Sequence, residues 1–407
     1  MRAVVHGAVA LVVFFIAWLW SGSRNDHLNP PPAPIVRFVA NHPWFTAAAA
    51  AGALGLGAAL MVVSGVVPIK ASSGHWWITA RFLDFAKMQS VRTHSLGIQP
   101  PPLEEEAHAI RGAAHYMIGC ELCHGGPDSG VPPVAAAMTP PPPELTGEGL
   151  SRFTSEQLFS IVKHGIKFTG MPGWPVQRRD DEVWAIVAFL RRMPNLDSAE
   201  YRTLASGDAG TSPDAAPHLP PAEAAAPPRA VRDLCWRCHG VDGTGRGPGA
   251  FPSLAGQRAP YLYASLRAFA DRTRLSGTMN QVAAGLSDSA MREVAIYYEG
   301  LPGRAAEAPA DSAATIRGAS ISIQGVPDRD IPACAECHGP SDLPKNPAYP
   351  ALASQHAPYL RLQLELLQQR RRGGSPSVNL MHVFVDRLRP EHIQDVTMYY
   401  AATSPRR

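Results

Sequence analysis

Apolar residues are concentrated at the N-terminal end of the chain. From Ala3 to Ser23 there is no Lys, Arg, Asp or Glu, and Ala8 to Trp20 is almost wholly aliphatic and aromatic. A second uncharged run, rich in Ala and Gly, extends from Pro43 to Ile69. A helix needs about 20 residues to cross a hydrocarbon core. The pattern therefore predicts spanning helices at 1–23 and 43–69, joined by a short loop at 24–42. The first run also fits a cleaved signal peptide, although only Arg2 marks an n-region and no clean Ala-x-Ala site follows. From 70 to 102 the pattern becomes amphipathic, with Trp76, Trp77, Phe82 and Phe85 among scattered charges. Such a segment fits a helix at a membrane interface or on a protein surface. Basic residues flank the second run on both sides, Arg24 and Arg37 before it and Lys70, Arg81 and Lys87 after, so their count assigns no orientation.

The remainder divides into three units, 103–196, 229–304 and 331–407. Linkers are expected at 197–228, with Pro220-Pro221 and Pro227-Pro228, and at 305–330. The stretch from Leu301 to Ser312 is short, so the last two units should pack closely. Each unit is a small helical wrap whose core is too small to stand well alone. In the first, Gly112 and Tyr116 of an early helix are expected against Trp184 and Phe189 of the helix Asp180–Arg192. Composition narrows the classes: 407 residues, 17% charged, 40 prolines and a net charge of +3. That balance gives no nucleic-acid signature. Six cysteines in so long a chain exclude a disulfide-stapled miniature fold.

All six cysteines fall into three copies of Cys-x-x-Cys-His: Cys120–Cys123–His124, Cys235–Cys238–His239 and Cys334–Cys337–His338. Two thiols one helical turn apart can each add to a vinyl group of one porphyrin, and the following His then lies under the iron. A zinc site would need a second Cys/His pair near each copy, and a redox dithiol would not need the His. Three copies, each followed by Gly, point to three covalently attached haem c groups.

The sixth iron ligands follow from what each unit contains. No other histidine lies between His239 and His338, which excludes a second His from within that unit. Met279, in an extended polar stretch, is its candidate, whereas Met291 reads as core or surface. The third unit repeats the second: Phe251 to Leu262 aligns with Tyr349 to Leu360, and Met279 and Met381 each precede a leucine (Leu286, Leu388) by seven residues. Met381 is thus preferred to Met398, with His356, His382 and His392 as competitors. In the first unit Met171 of Thr169-Gly170-Met171-Pro172-Gly173 is the candidate, with Met138, His115 and His164 as alternatives.

With these residues the chain resembles class I cytochromes c. Residues 229–403 are similar to dihaem, two-domain cytochromes c of Gram-negative bacteria, through the haem motifs, Pro-x-Leu-Ala-x-Gln-x-Ala-Pro-Tyr-Leu, and terminal helices ending in Tyr297-Tyr298 and Tyr399-Tyr400. Residues 103–196 are similar to monohaem modules of membrane electron-transfer proteins. The resemblance implies an all-α chain of three tandem cytochrome c domains after the membrane helices. It also implies that the carbonyls of Pro143, Pro252 and Pro350 accept hydrogen bonds from the ligating histidines. Haem attachment in this family occurs on the oxidising side of the bacterial inner membrane, so the three units are expected in the periplasm. The third unit departs from the pattern at Ser341 to Pro344 and in the insertion Arg370-Arg371-Arg372-Gly373-Gly374.

His/Met ligation saturates iron and favours one-electron cycling. The chain is accordingly expected to be no enzyme but a membrane-anchored carrier between a quinol-oxidising complex and a terminal oxidase. The alternative is the electron-accepting cytochrome subunit of a periplasmic dehydrogenase; a third class is a peroxidase-type enzyme with one open iron, placed in the third unit. The first unit is net acidic and the two later units net basic, which would steer them toward acidic redox partners.

Overall fold

The computed structural model describes residues 42–66, 70–127, 129–207, 226–306, 311–374 and 377–405. The chain divides into two compact units, Met1–Ser73 and Gly74–Arg407. In the first, the helix Pro43–Val63 has proline in its opening turn, where the missing N–H costs nothing. Its described side chains, Leu54, Leu56, Leu60 and Val63 among them, are exposed. Pro43, Phe45 and Thr46 fall outside the described side chains, and among the described residues no helix is long and apolar enough to cross a membrane. The expected span at 1–23 lies outside the described residues.

In the second unit every regular element among the described residues is helical, with two isolated bridges, Gly126–Ser129 and Val326–Ile331. The helix Trp77–His94 buries no residue and leaves Trp77, Phe82 and Phe85 exposed.

The first module is built on the crossing of helices Glu106–Gly119 and Asp180–Arg192. A Cβ on Gly112 would lie 1.9 Å from the Ala185 carbonyl oxygen, so only glycine lets the two backbones meet. Tyr116 packs on Phe189, with ring centroids 5.2 Å apart. Trp184 is not in that contact. It stacks on Phe159 of the helix Ser155–His164 at 4.3 Å, because Trp184 and Phe189, five positions apart on one helix, point about 140° apart. The expected linker at 197–228 also needs correction. Asp197 and Glu200 form a capping box that opens the helix Ser198–Ser206, which carries Tyr201 and Ala205 into the first core. Residues 208–225 lie outside the described residues.

The third module likewise starts before residue 331. Ser312 caps the helix Ala313–Gln324, which crosses the helix Pro390–Ala402 at Gly318, where a Cβ would meet the Asp395 carbonyl oxygen at 2.0 Å. The second module opens instead on a π-helical turn, Val231–Cys235, whose Val231 packs under Tyr298 of the helix Asp288–Glu299.

The second and third modules meet through equivalent residues. Gln257 bonds both backbone groups of Ala351, and Gln355 bonds both of Ser253, all four distances being 2.9 Å. Arg258 and His356, the next residues in each repeat, also reach across, to the carbonyls of Tyr349 (2.8 Å) and Thr244 (3.0 Å). The interface is a two-fold-like exchange between the repeats.

Candidate functional site

Each Cys-x-x-Cys-His sequence forms a short helical turn: Glu121–His124, Trp236–His239 and Cys334–His338. The turn ends at a glycine with positive φ, 69° at Gly125, 77° at Gly240 and 78° at Gly339, a backbone region that a Cβ disfavours. Below each turn the histidine Nδ1–H donates to a proline carbonyl: His124 to Pro143 at 2.8 Å, His239 to Pro252 at 3.2 Å and His338 to Pro350 at 2.9 Å. A proton held on Nδ1 leaves the Nε2 lone pair for a metal. Burial moves His239 and His338 below the usual imidazole range, with the proline bonds opposing it. Burial raises the thiols, to about 12 at Cys120 and Cys235 and about 11 at Cys238 and Cys334. Neutral sulfur in an apolar wall suits thioether attachment better than thiolate chemistry.

Two cavities bring the candidates together. One of about 220 Å³ is lined by Cys235, Cys238, His239 and Met279. The other, of about 170 Å³, is lined by Cys334, Cys337, His338 and Met381. Met279 does not lie in an extended stretch: it opens the helix Met279–Ala284, as Met381 sits within the helix Val378–Val385. Met291 is core, 2% exposed. The competing histidines have other work. His356 bonds the second module, His382 Nε2 lies 3.3 Å from the Arg372 carbonyl, and His392 Nδ1 accepts from the Arg389 N–H that precedes its helix. In the first module Met171 lies in a loop whose backbone bonds Ile166, and a Cβ on Gly170 would strike the Met138 methyl. His164 is exposed, and His115 is buried against the second module.

These donors fit an iron porphyrin and not a bare ion. Among the described residues no group of three or more His, Cys, Asp or Glu could hold a metal. The cysteines and histidines of the three motifs, with Met279 and Met381 in the two C-terminal cavities, would hold a haem c, which would supply a one-electron iron couple.

Residues 107–190 match the family model "Cytochrome C oxidase, cbb3-type, subunit III", and residues 228–299 match "Cytochrome c". A solved thiosulfate dehydrogenase of Marichromatium purpuratum aligns over 41% of this chain and 36% of its own, with 33% identity and a TM-score of 0.37. A cytochrome c4 of Thiocapsa roseopersicina is 32% identical over 176 residues, 42% of this chain and 88% of its own length. The thiosulfate dehydrogenase electron acceptor of Thiomonas intermedia is 35% identical over 184 residues, 45% of this chain and 83% of its own length. The chain belongs to the class I cytochrome c family.

Cytochrome c domains carry covalently bound haem c and transfer electrons, and this cytochrome has a further feature that its motifs do not announce. Arg274, Arg372 and Tyr261 line both cavities. Arg274 donates toward the hydroxyls of Tyr261 (3.4 Å) and Tyr359 (3.2 Å), and Arg372 toward Tyr261 (3.0 Å). Burial alone would raise the Tyr261 phenol, yet the two guanidinium groups bring it down to about 8. The inserted Arg370 to Gly374 thus supplies a buried cation to the shared wall. It also ties to the first module, through Arg371 to Asp180 (3.3 Å) and Arg178 to the Arg370 carbonyl (2.8 Å).

Proposed function

We propose that this cytochrome carries three haems c and accepts electrons from a periplasmic dehydrogenase, without catalysing a reaction itself. The observation that supports the reading most is the recurring site. A histidine is oriented by a proline carbonyl beside two cysteines, and in the two C-terminal modules a methionine stands in the same cavity. The ligand pairs are then His124/Met171, His239/Met279 and His338/Met381. Bound haem c would supply a one-electron Fe(III)/Fe(II) couple, which methionine ligation biases toward the reduced form. The chain's own part is to hold Nε2 and the thioether in place and to exclude water with apolar walls.

The relatives named thiosulfate dehydrogenase electron acceptor support a dehydrogenase, and a thiosulfate-oxidising one first, as the donor. The match of residues 107–190 to an oxidase subunit model favours the carrier reading toward a terminal oxidase as the second possibility. The engagement of His356 and His382 elsewhere counts against a peroxidase-type iron in the third module. Anchoring in the inner membrane is supported by the uncharged run from Pro43 to Ile69 and the exposed apolar side chains of its helix. The attachment chemistry of the family supports a periplasmic location.

The test is haem quantitation on the full chain, followed by stopped-flow reduction by a thiosulfate dehydrogenase turning over thiosulfate and, separately, by a quinol-oxidising complex. Three haems per chain and faster reduction by the dehydrogenase support the reading. Two haems, or faster reduction by the quinol-oxidising complex, overturn it.

A further inference from the structure

Glu182 belongs to the first module, yet its carboxylate serves the second. It is 2% exposed. One oxygen accepts from Ser276 Oγ at 2.7 Å; the other accepts from the Gly277 N–H at 2.8 Å and from Trp174 Nε1 at 2.9 Å. Arg179 balances the charge at 3.2 Å. Ser276 Oγ in turn accepts the backbone N–H of Met279 at 3.2 Å. Two hydrogen bonds therefore run from a buried anion of one module to the backbone of the candidate iron ligand of the next. A carboxylate with this many donors is held more stiffly than any neutral acceptor would be.

The internal repeat supplies an independent observation. The positions Ser276-Gly277-Thr278 before Met279 correspond to Val378-Asn379-Leu380 before Met381. Both modules need a methionine there, but only the second places Ser and Gly ahead of it. Gly277 also admits the indole of Trp174: a Cβ there would lie 2.3 Å from it. If the polar triplet served the fold of a single module, the third would have use for it too. It occurs where the first module docks.

We infer that Glu182 is a positioning residue for the second iron site: through Ser276 it holds Met279 at its coordinating distance, so the first module sets the reduction potential of its neighbour. This rests on Met279 being the ligand. Loosening the loop weakens the thioether bond, which favours reduced iron, so the potential of the second haem falls and the reduced iron becomes open to carbon monoxide.

The experiment uses the full haem-loaded chain. Met279→Ala first identifies which of the redox components belongs to the second haem, as the one that drops and gains carbon monoxide binding. Ser276→Ala, which changes no charge, and Glu182→Gln, which keeps the shape of the side chain, are then titrated by spectroelectrochemistry. Ser276→Ala should lower that same component alone and increase its carbon monoxide binding at least severalfold. Glu182→Gln should do the same for carbon monoxide. The double variant should add little to either, because both act through one chain of bonds. If Met279→Ala opens an iron but the other two variants leave its potential and carbon monoxide binding unchanged, the positioning role is wrong and the ligand assignment stands. If Glu182→Gln only raises the potential, with no added carbon monoxide binding, Glu182 acts as a bare charge and the inference fails. If Met279→Ala opens nothing, the ligand reading itself falls, and this inference with it.

Discussion

Gln257 and Gln355 stand at the same position of two sequence repeats, and each grips the backbone next to the other's histidine-anchoring proline. Gln355 bonds the N–H and carbonyl of Ser253, adjacent to Pro252, while Gln257 bonds those of Ala351, adjacent to Pro350. The two histidine–proline bonds are thereby braced against each other across the module interface. Gln257→Ala and Gln355→Ala each remove three bonds, two across the interface and one to the N–H of the next residue (Arg258 or His356), and leave two N–H groups and a carbonyl without them in a buried interface. Each should cost about 1–3 kcal/mol. Denaturant unfolding of the loaded chain checks this, and a loss below about 0.5 kcal/mol in both variants would show that water replaces the amide without penalty.

The two helix crossings should be intolerant of a single methyl group. Gly112→Ala and Gly318→Ala place a Cβ about 2 Å from a carbonyl oxygen of the facing helix, at Ala185 and Asp395. The helices must separate, and the expected loss exceeds about 3 kcal/mol for each. Gly285→Ala, where the nearest atom is 3.5 Å away and φ is ordinary, should be nearly silent. Thermal melts of the three variants compare them directly.

The proposed ligand sets predict a carbon monoxide response. Met171→Ala, Met279→Ala and Met381→Ala should each open one iron of three in the dithionite-reduced protein. The visible spectrum with and without carbon monoxide reads the fraction. No response from any of the three would refute the assignments.

The first module and its contact with the second should weaken in two acid steps, the contact through His115 and the first module through Asp181. His115 is buried, and burial lowers its pKa to about 4 against 6.5. The unfolded chain therefore binds the extra proton first, and stability falls as pH drops from about 6.5 to about 4. For Asp181 burial would raise the carboxyl, but Arg179 outweighs it and holds it at about 2 against 3.8. Its contribution is complete above about 4 and is lost as pH falls toward 2. Stability curves of His115→Gln and Asp181→Asn against the parent should converge with it in those separate windows. Every tenfold difference in proton affinity between the folded and unfolded chain is worth roughly 1.4 kcal/mol.

The chemistry of this protein was legible residue by residue because it depends on local spacing. Cys-x-x-Cys-His needs one helical turn to bring two thiols and an imidazole to one edge, and three copies with glycine after each point to it without any fold. The proline acceptors came from the family resemblance alone, whereas the pairing of Met279 and Met381 with their histidines was reachable because a repeat exposes equivalent positions. What chain order could not contain is which side chain of one module meets which loop of another. The elimination of a second histidine near His239 considered one module alone, and folding brings His115 to within 2.8 Å of Thr278. The linker boundaries failed similarly, because whether Ser198–Ser206 and Ala313–Gln324 belong to a module depends on a partner helix distant in sequence. Glu182, Arg274 and Arg372 read as ordinary charges until burial gives them partners. Spacing along one turn decides covalent chemistry, whereas desolvation and contact across modules decide how each site is tuned, and those exist only once the chain has folded.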